Sequence, residues 1–218
     1  MDESIKLYTY WRSSACYRVR IALNLKGLAY ESVPVHLANS EQQLPEFREV
    51  NPQELIPVLR HGNRVIQQSL AIMEYLDETF PEQPLLPAYA RDRARARAIA
   101  QMVACDIHPL GNLRIQRYLE HELGASQDQR ETWTRHWIGK GFQAIEQVLA
   151  DSPSTGSFCE GDIPTIADCC LIPQIYNARR VGVDVSAYPF ISRIDENCQS
   201  LEAFKAAHPQ AQPDAPPG

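Results

Sequence analysis

The chain has 218 residues, enough for one large domain or two small ones that each bury a core. It is 44% hydrophobic and 22% charged, the balance of a soluble globular protein. A net charge of −6 argues against a general nucleic-acid binder, and no apolar run is long enough to cross a bilayer.

The opening MDESIKLYTY carries acids where an export signal would carry a basic stretch. The six cysteines are scattered, with no CxxC and no zinc-type spacing. The expectation is a cytoplasmic protein with reduced thiols, no metal, no nucleic-acid partner and no membrane association. Residues 5–10 read as a strand, and Val19, Ile21, Ala22, Leu23 and Leu25 give the next segment an apolar helical stripe that Gly27 stops. AYESVPVHL alternates as a second strand, with Pro34 suggesting an edge or a bulge. SEQQLPEFREVNP has helical spacing up to Pro52, and LIPVLRHGNRVIQ reads as a hairpin around His61, Gly62 and Asn63. A helix follows from Ser69. The order β-α-β-α-β-β-α makes the first two strands parallel and the hairpin antiparallel.

PEQPLLPAYA is a proline-rich linker, and everything after it lacks strand alternation. Helical patterns cover about 91–121, 128–150, 165–181 and 187–206, and the TIAD before the third apolar run has the form of a capping box. The proline-rich end AAHPQAQPDAPPG reads as loose. The division is a small α/β domain over 1–83 and an all-helical domain over 84–218.

Between the first strand and its helix lies a polar knot, Arg12-Ser13-Ser14-Ala15-Cys16, with three readings. Ser13 or Ser14 caps the helix; Cys16 is a nucleophile whose pKa the helix end lowers; or hydroxyls and amides support a thiolate that a ligand brings. Ile56-Pro57 stands beside a strand. A trans proline is the commoner arrangement, whereas a cis one would leave the Ile56 backbone to pair with an extended ligand. Gln68 and Ser69 begin a helix, where Ser69 either caps it or helps seat a carboxylate on the amides. The arginines at 91, 93, 95 and 97 fan around a helix and read as a solvated or ion-paired face. His108, Asn112 and Arg114 gather around a kink at Pro109, and Arg179 and Arg180 close a helix where cations suit the dipole.

Together YWRSSACYRVRIALNLKG, NPQELIPVL, QQSLAIMEYLDETFP, CDIHPLGNLR and PTIADCCLIPQIYNARR resemble the zeta class of the glutathione transferases, in order and over nearly the whole chain. The resemblance implies a thioredoxin-like N-terminal domain, an all-α C-terminal domain and a homodimer that uses glutathione. By motif position, Ser13 contacts the glutathione sulfur with Ser14, Cys16 and Arg18 around it, and Ile56 precedes a cis-proline. Gln68 and Ser69 grip the γ-glutamyl end, and Gln42 or Gln43 adds a contact, with Gln43 the one assigned. His108, Asn112 and Arg114 fall on interdomain contacts, where His108 and Asn112 are assigned to glutathione. Arg12, Arg114 and Arg180 are assigned to a substrate bearing carboxylates. The class motif has cysteine at its third position and this chain has Ala15, which leaves hydroxyls as the main side-chain support for a sulfur anion.

The implied activity is glutathione-dependent cis-trans isomerisation of a maleyl diketo diacid, maleylacetoacetate or maleylpyruvate, to its fumaryl isomer. The sequence does not separate the two substrates. A general glutathione transferase or dehalogenase, and a non-catalytic binding module on the same fold, are the alternatives.

Overall fold

Strand β1 (Ile5–Thr9) buries every second residue, as a strand covered on one face must. The computed structural model describes residues 4–216, so residues 1–3 of the acidic start and the last two residues of the proline-rich end lie outside the described residues. β1 pairs in parallel with β2 (Glu31–Pro34) and antiparallel with β3 (Val58–His61), which turns back into β4 (Arg64–Gln67). The order β2-β1-β3-β4 leaves β2 at an edge, where Pro34 costs no ladder bond.

Helix α1 (Ser14–Leu25) and α3 (Ser69–Thr79) cover one face of the sheet, and Ile5, Leu7, Val19, Leu23, Leu59, Ile72 and Leu76 form its core. Gly27, at φ 65°, ends α1 with a paired closure: Leu28 N–H donates to Leu23 C=O and Gly27 N–H to Asn24 C=O, each at 3.0 Å. This is the thioredoxin-like order expected of the N-terminal domain.

The expected helix over 40–52 is mostly absent. Pro45 has no N–H and holds Leu44 extended, so α2 is only Pro45–Val50, and single tight turns at Leu37–Asn39 and Glu41–Gln43 precede it.

The chain forms two compact units, one reaching to Leu86 and rejoined by the segment from Gln199 onward, the other Pro87–Cys198. The second holds α4 (Ala90–Gln101), α5 (Leu113–His121), α6 (Gln127–Ala150), α7 (Ile166–Arg180) and all but the last two residues of α8, which runs Pro189–Ser200. The pattern over 91–121 is not one kinked helix. α4 passes into a wider-wound segment, Met102–Ile107, then a tight turn around Pro109, and α5 starts afresh from Asn112. Gly141 of α6 lies against that wide segment, where an added Cβ would stand 2.2 Å from Ile107 Cδ1. The pattern over 187–206 likewise breaks at the extended Leu201, giving α8 and a short α9 (Glu202–Ala207).

The sequence division assigned everything after 83 to the helical domain, yet α9 packs on α1. The described part of the proline-rich end is also tied down: Trp11 N–H donates to Asp214 Oδ2 at 2.8 Å, and Gln212 donates to the Ala206 and His208 carbonyls. An amphipathic pattern specifies a helix without naming the surface it covers.

The TIAD box forms as expected. Asp168 is fully buried, accepting from Cys159 N–H and Thr165 N–H through opposite oxygens at 2.9 and 2.8 Å. Burial pushes its carboxyl pKa up, and those hydrogen bonds oppose the rise. Replacing Asp168 by alanine leaves two buried backbone N–H donors and the Thr165 hydroxyl without this acceptor and should cost about 2–4 kcal/mol of stability. A urea midpoint equal to that of the wild type would refute the importance of this cap.

Candidate active site

The β1–α1 junction is a helix start with a cap. Ser13 is the cap residue of α1, and its Oγ accepts from Cys16 N–H at 3.3 Å. The capping reading therefore holds, and it leaves the serine O–H as a donor. Ser13 is half-buried, whereas Ser14, the first helical residue, is buried. No acidic side chain stands in the first turn, so the positive end of the helix dipole is not neutralised from within.

Cys16 corrects the nucleophile reading. It has no solvent exposure and packs with Tyr10, Val35, Phe47, Ile56 and Val58. Burial raises its thiol pKa, and the Arg20 charge and hydrogen bonds from Ser13, Thr9 and Tyr10 only partly oppose that. Desolvation outweighs the groups that favour this sulfur's anion.

Ile56-Pro57 is cis, as the resemblance implied and against the commoner pattern reading. Ser69 does not cap α3. Gln68 occupies the cap position at φ 70°, makes no side-chain cap bond, and turns its amide to Gln53 Oε1 at 2.8 Å. A non-glycine residue in the left-handed region is uncommon, and here it stands where the chain enters the helix. Ser69 is buried as the first helical residue, and its Oγ accepts from Arg18 Nη1 at 3.1 Å. Gln43 is exposed in its short turn, while its neighbour Gln42 is buried with Oε1 lacking a hydrogen-bond partner.

In the helical unit the structure brings His108, Asn112 and Arg114 together. Asn112 caps α5, with Oδ1 accepting from Arg114 N–H at 3.1 Å and Nδ2 lying 3.3 Å from His108 Nε2. Arg180 is exposed in the last turn of α7, reaching Asn177 Oδ1 at 3.4 Å and the Tyr176 ring. Arg12 is exposed beside the Trp11 ring. The arginine run on α4 is ion-paired in part, as that reading allowed: Arg91 pairs with Asp92, and Arg95 turns inward to Glu160, the Cys159 carbonyl and Thr155.

The residue that sequence reasoning missed is Arg20. It is fully buried, donating to Thr9 Oγ1, the Tyr10 and Trp11 carbonyls, and the Ala207 carbonyl. The available signal was a pair of arginines, Arg18 and Arg20, inside the apolar run of α1.

The sheet unit thus offers two helix N-termini that each carry a serine hydroxyl, and among its described residues the one thiol, Cys16, is buried. The family model for the glutathione S-transferase N-terminal domain matches residues 7–84. A probable maleylacetoacetate isomerase of Vibrio cholerae is 49% identical, over 97% of this chain and 99% of that one. A holo structure of maleylpyruvate isomerase, a bacterial zeta-class glutathione transferase, superposes with a TM-score of 0.95 at 48% identity, covering 97% of this chain and 100% of that one. This chain belongs to the zeta class of the glutathione transferases. A maleylacetoacetate isomerase of Methylobacterium extorquens, solved with malonate and glutathione bound, superposes with a TM-score of 0.95 at 44% identity over 97% and 100% of the two chains.

Burial makes the thiols of this transferase unequal. Only Cys105 is exposed. Alkylation of the native protein by iodoacetamide at pH 8 should modify Cys105 and spare the other five, as read by intact mass and peptide mapping. Since Cys16 ionises less readily folded than unfolded, the stability it contributes is full below its unfolded-chain pKa and is lost as pH rises beyond it. Cys16→Ala should flatten that alkaline loss. Rapid native alkylation of Cys16 would contradict the assignment.

Proposed function

We propose that this protein is a glutathione-dependent cis-trans isomerase that converts a maleyl diketo diacid to its fumaryl isomer. One observation carries the reading: the Ser13 hydroxyl caps α1 directly beside a sealed, protonated Cys16, so the site is built to steady a sulfur it does not supply. Glutathione fits the donors present. It is an extended anionic tripeptide, and the unit presents a hydroxyl at the start of α1 and an amide-rich, hydroxyl-bearing start of α3 for its sulfur and γ-glutamyl carboxylate. Ser13, Ser14, Gln43, Ile56, Gln68, Ser69, His108 and Asn112 form the glutathione set of this reading.

When bound, glutathione supplies a thiol whose reversible addition lets the carbon–carbon bond turn, and it is regenerated. The chain's residues do the rest. A thiol ordinarily titrates at about 8.5, so Ser13 O–H and the first amides of α1 favour the anion at neutral pH. A modest shift serves better than an extreme one, because nucleophilicity falls with pKa. Charge develops on the substrate carbonyl oxygen and carboxylates flank it, so Arg12, Arg114 and Arg180 are assigned as bidentate forks for these groups. The relative solved with malonate and glutathione bound shows that that enzyme can take up a dicarboxylate. The reading extends to a homodimer and to a cytoplasmic location, which suits a chain whose six cysteines form no disulfide.

Ser13→Ala should shift the thiolate ultraviolet absorbance of the glutathione complex by about one pKa unit toward alkaline pH; an unmoved titration would remove Ser13 from this role. Alanine at Arg12, Arg114 or Arg180 should each lower kcat/KM for maleylacetone by about 10- to 100-fold. Three unchanged values would reject the clamp. Product should form with no loss of free thiol, whereas stoichiometric thiol consumption would point to a conjugating transferase.

A further inference from the structure

Arg18 sits in the apolar run of α1 with 2% exposure, a position where a guanidinium is costly unless its donors are used. One of them is spent on a neutral oxygen, Ser69 Oγ at 3.1 Å, in a residue that is itself 7% exposed. That bond decides what the hydroxyl can do. With its oxygen accepting from Arg18, the serine has its own proton left to give, and a charged donor polarises that O–H into a stronger one.

Its surroundings favour an acceptor that carries negative charge. α3 starts at Ser69, no side chain caps its first turn, and no acidic residue stands in that turn. Gln68, which occupies the cap position, has its side-chain amide on Gln53. The first-turn amides, the positive end of the dipole and the directed hydroxyl all select a carboxylate.

We propose that Arg18 is a positioning residue that acts through Ser69 to make the start of α3 selective for a carboxylate, the α-carboxylate of the γ-glutamyl end. This rests on the reading that Gln68 and Ser69 hold that end of glutathione. Arg18 itself need not touch the ligand. It sets the direction and polarity of a hydroxyl that does.

The test compares binding of glutathione with that of 4-aminobutyryl-cysteinyl-glycine, which lacks only that carboxylate, by isothermal titration calorimetry. The wild type should prefer glutathione by more than about tenfold, and Arg18→Met should lose about tenfold of that preference while binding the analogue nearly unchanged. A general packing role would weaken both ligands alike, and that result overturns the proposal. In a Ser69→Ala background, Arg18→Met should add less than about twofold, because the relay is already broken; a full additional tenfold loss also overturns it. Should Arg18→Met not fold, Arg18→Gln keeps a donor while removing the charge and should lose about fivefold of the preference; retention of the whole preference overturns the proposal. A wild type indifferent to the two ligands would instead overturn the γ-glutamyl placement and this inference with it. A discriminating wild type with an equally discriminating Arg18 variant overturns the inference alone.

Discussion

Arg20 carries a charge to a place water does not reach, and such a group costs several kcal/mol unless its donors are met. Nε, Nη1 and Nη2 are all engaged, on Thr9 Oγ1, on the Tyr10 and Trp11 carbonyls, and on the Ala207 carbonyl of α9. A planar fork used from three nitrogens has little freedom left, so it holds residues 9–11 at one orientation against α9. Burial draws its pKa down, while Cys16, Tyr30, Asp214 and Tyr17 draw it back. Asp214 accepts from Trp11 N–H, so Trp11 is held through its amide as well as its carbonyl. The next residues in the chain are Arg12 and Ser13. The placement of the capping hydroxyl therefore depends on a guanidinium further along the helix and on a segment from the far end of the chain.

That dependence explains what the junction can and cannot do. A Cys16 thiolate beneath the cap would repel a second sulfur anion arriving at the same helix end. Burial prevents this by keeping Cys16 protonated, which leaves the local positive potential available to a ligand. Ala15, where the class motif carries its cysteine, fits the same scheme: in the proposed site the support for the anion comes from a hydroxyl, amides and a dipole. These stabilise charge moderately, which suits a thiol that must both attack and leave.

The parts of this arrangement that were legible in the sequence are those set by local chemistry. Gly27 ended α1 because only a residue tolerant of positive φ closes a helix in that way, and TIAD announced the start of α7 through its own side chains. The hairpin and the parallel first pair followed from spacing. What was hidden depends on partners distant in the chain. Ser69 resembles a cap in sequence, but its oxygen is taken by Arg18, and no local pattern announces that bond. The helical spacing over 40–52 was real, yet Pro45 sets where a helix can begin. The C-terminal prolines suggested a loose end, because the carbonyls and carboxylate that tie it down find their donors in residues 11 and 20.

Arg18 and Arg20 are two residues apart, and on an α-helix such side chains leave in directions about 200° apart. One reaches Ser69 at the start of α3, and the other reaches the strand–helix junction and α9. α1 packs against both α3 and α9, so each arginine crosses a different packed surface of the same helix. The two anion-favouring helix starts of the sheet unit are thereby referred to a single rigid element. Their separation is set by α1 before any ligand arrives. A ligand that carries a sulfur anion at one point and a carboxylate at another then pays ordering entropy for itself alone, because the protein has already paid its share in folding.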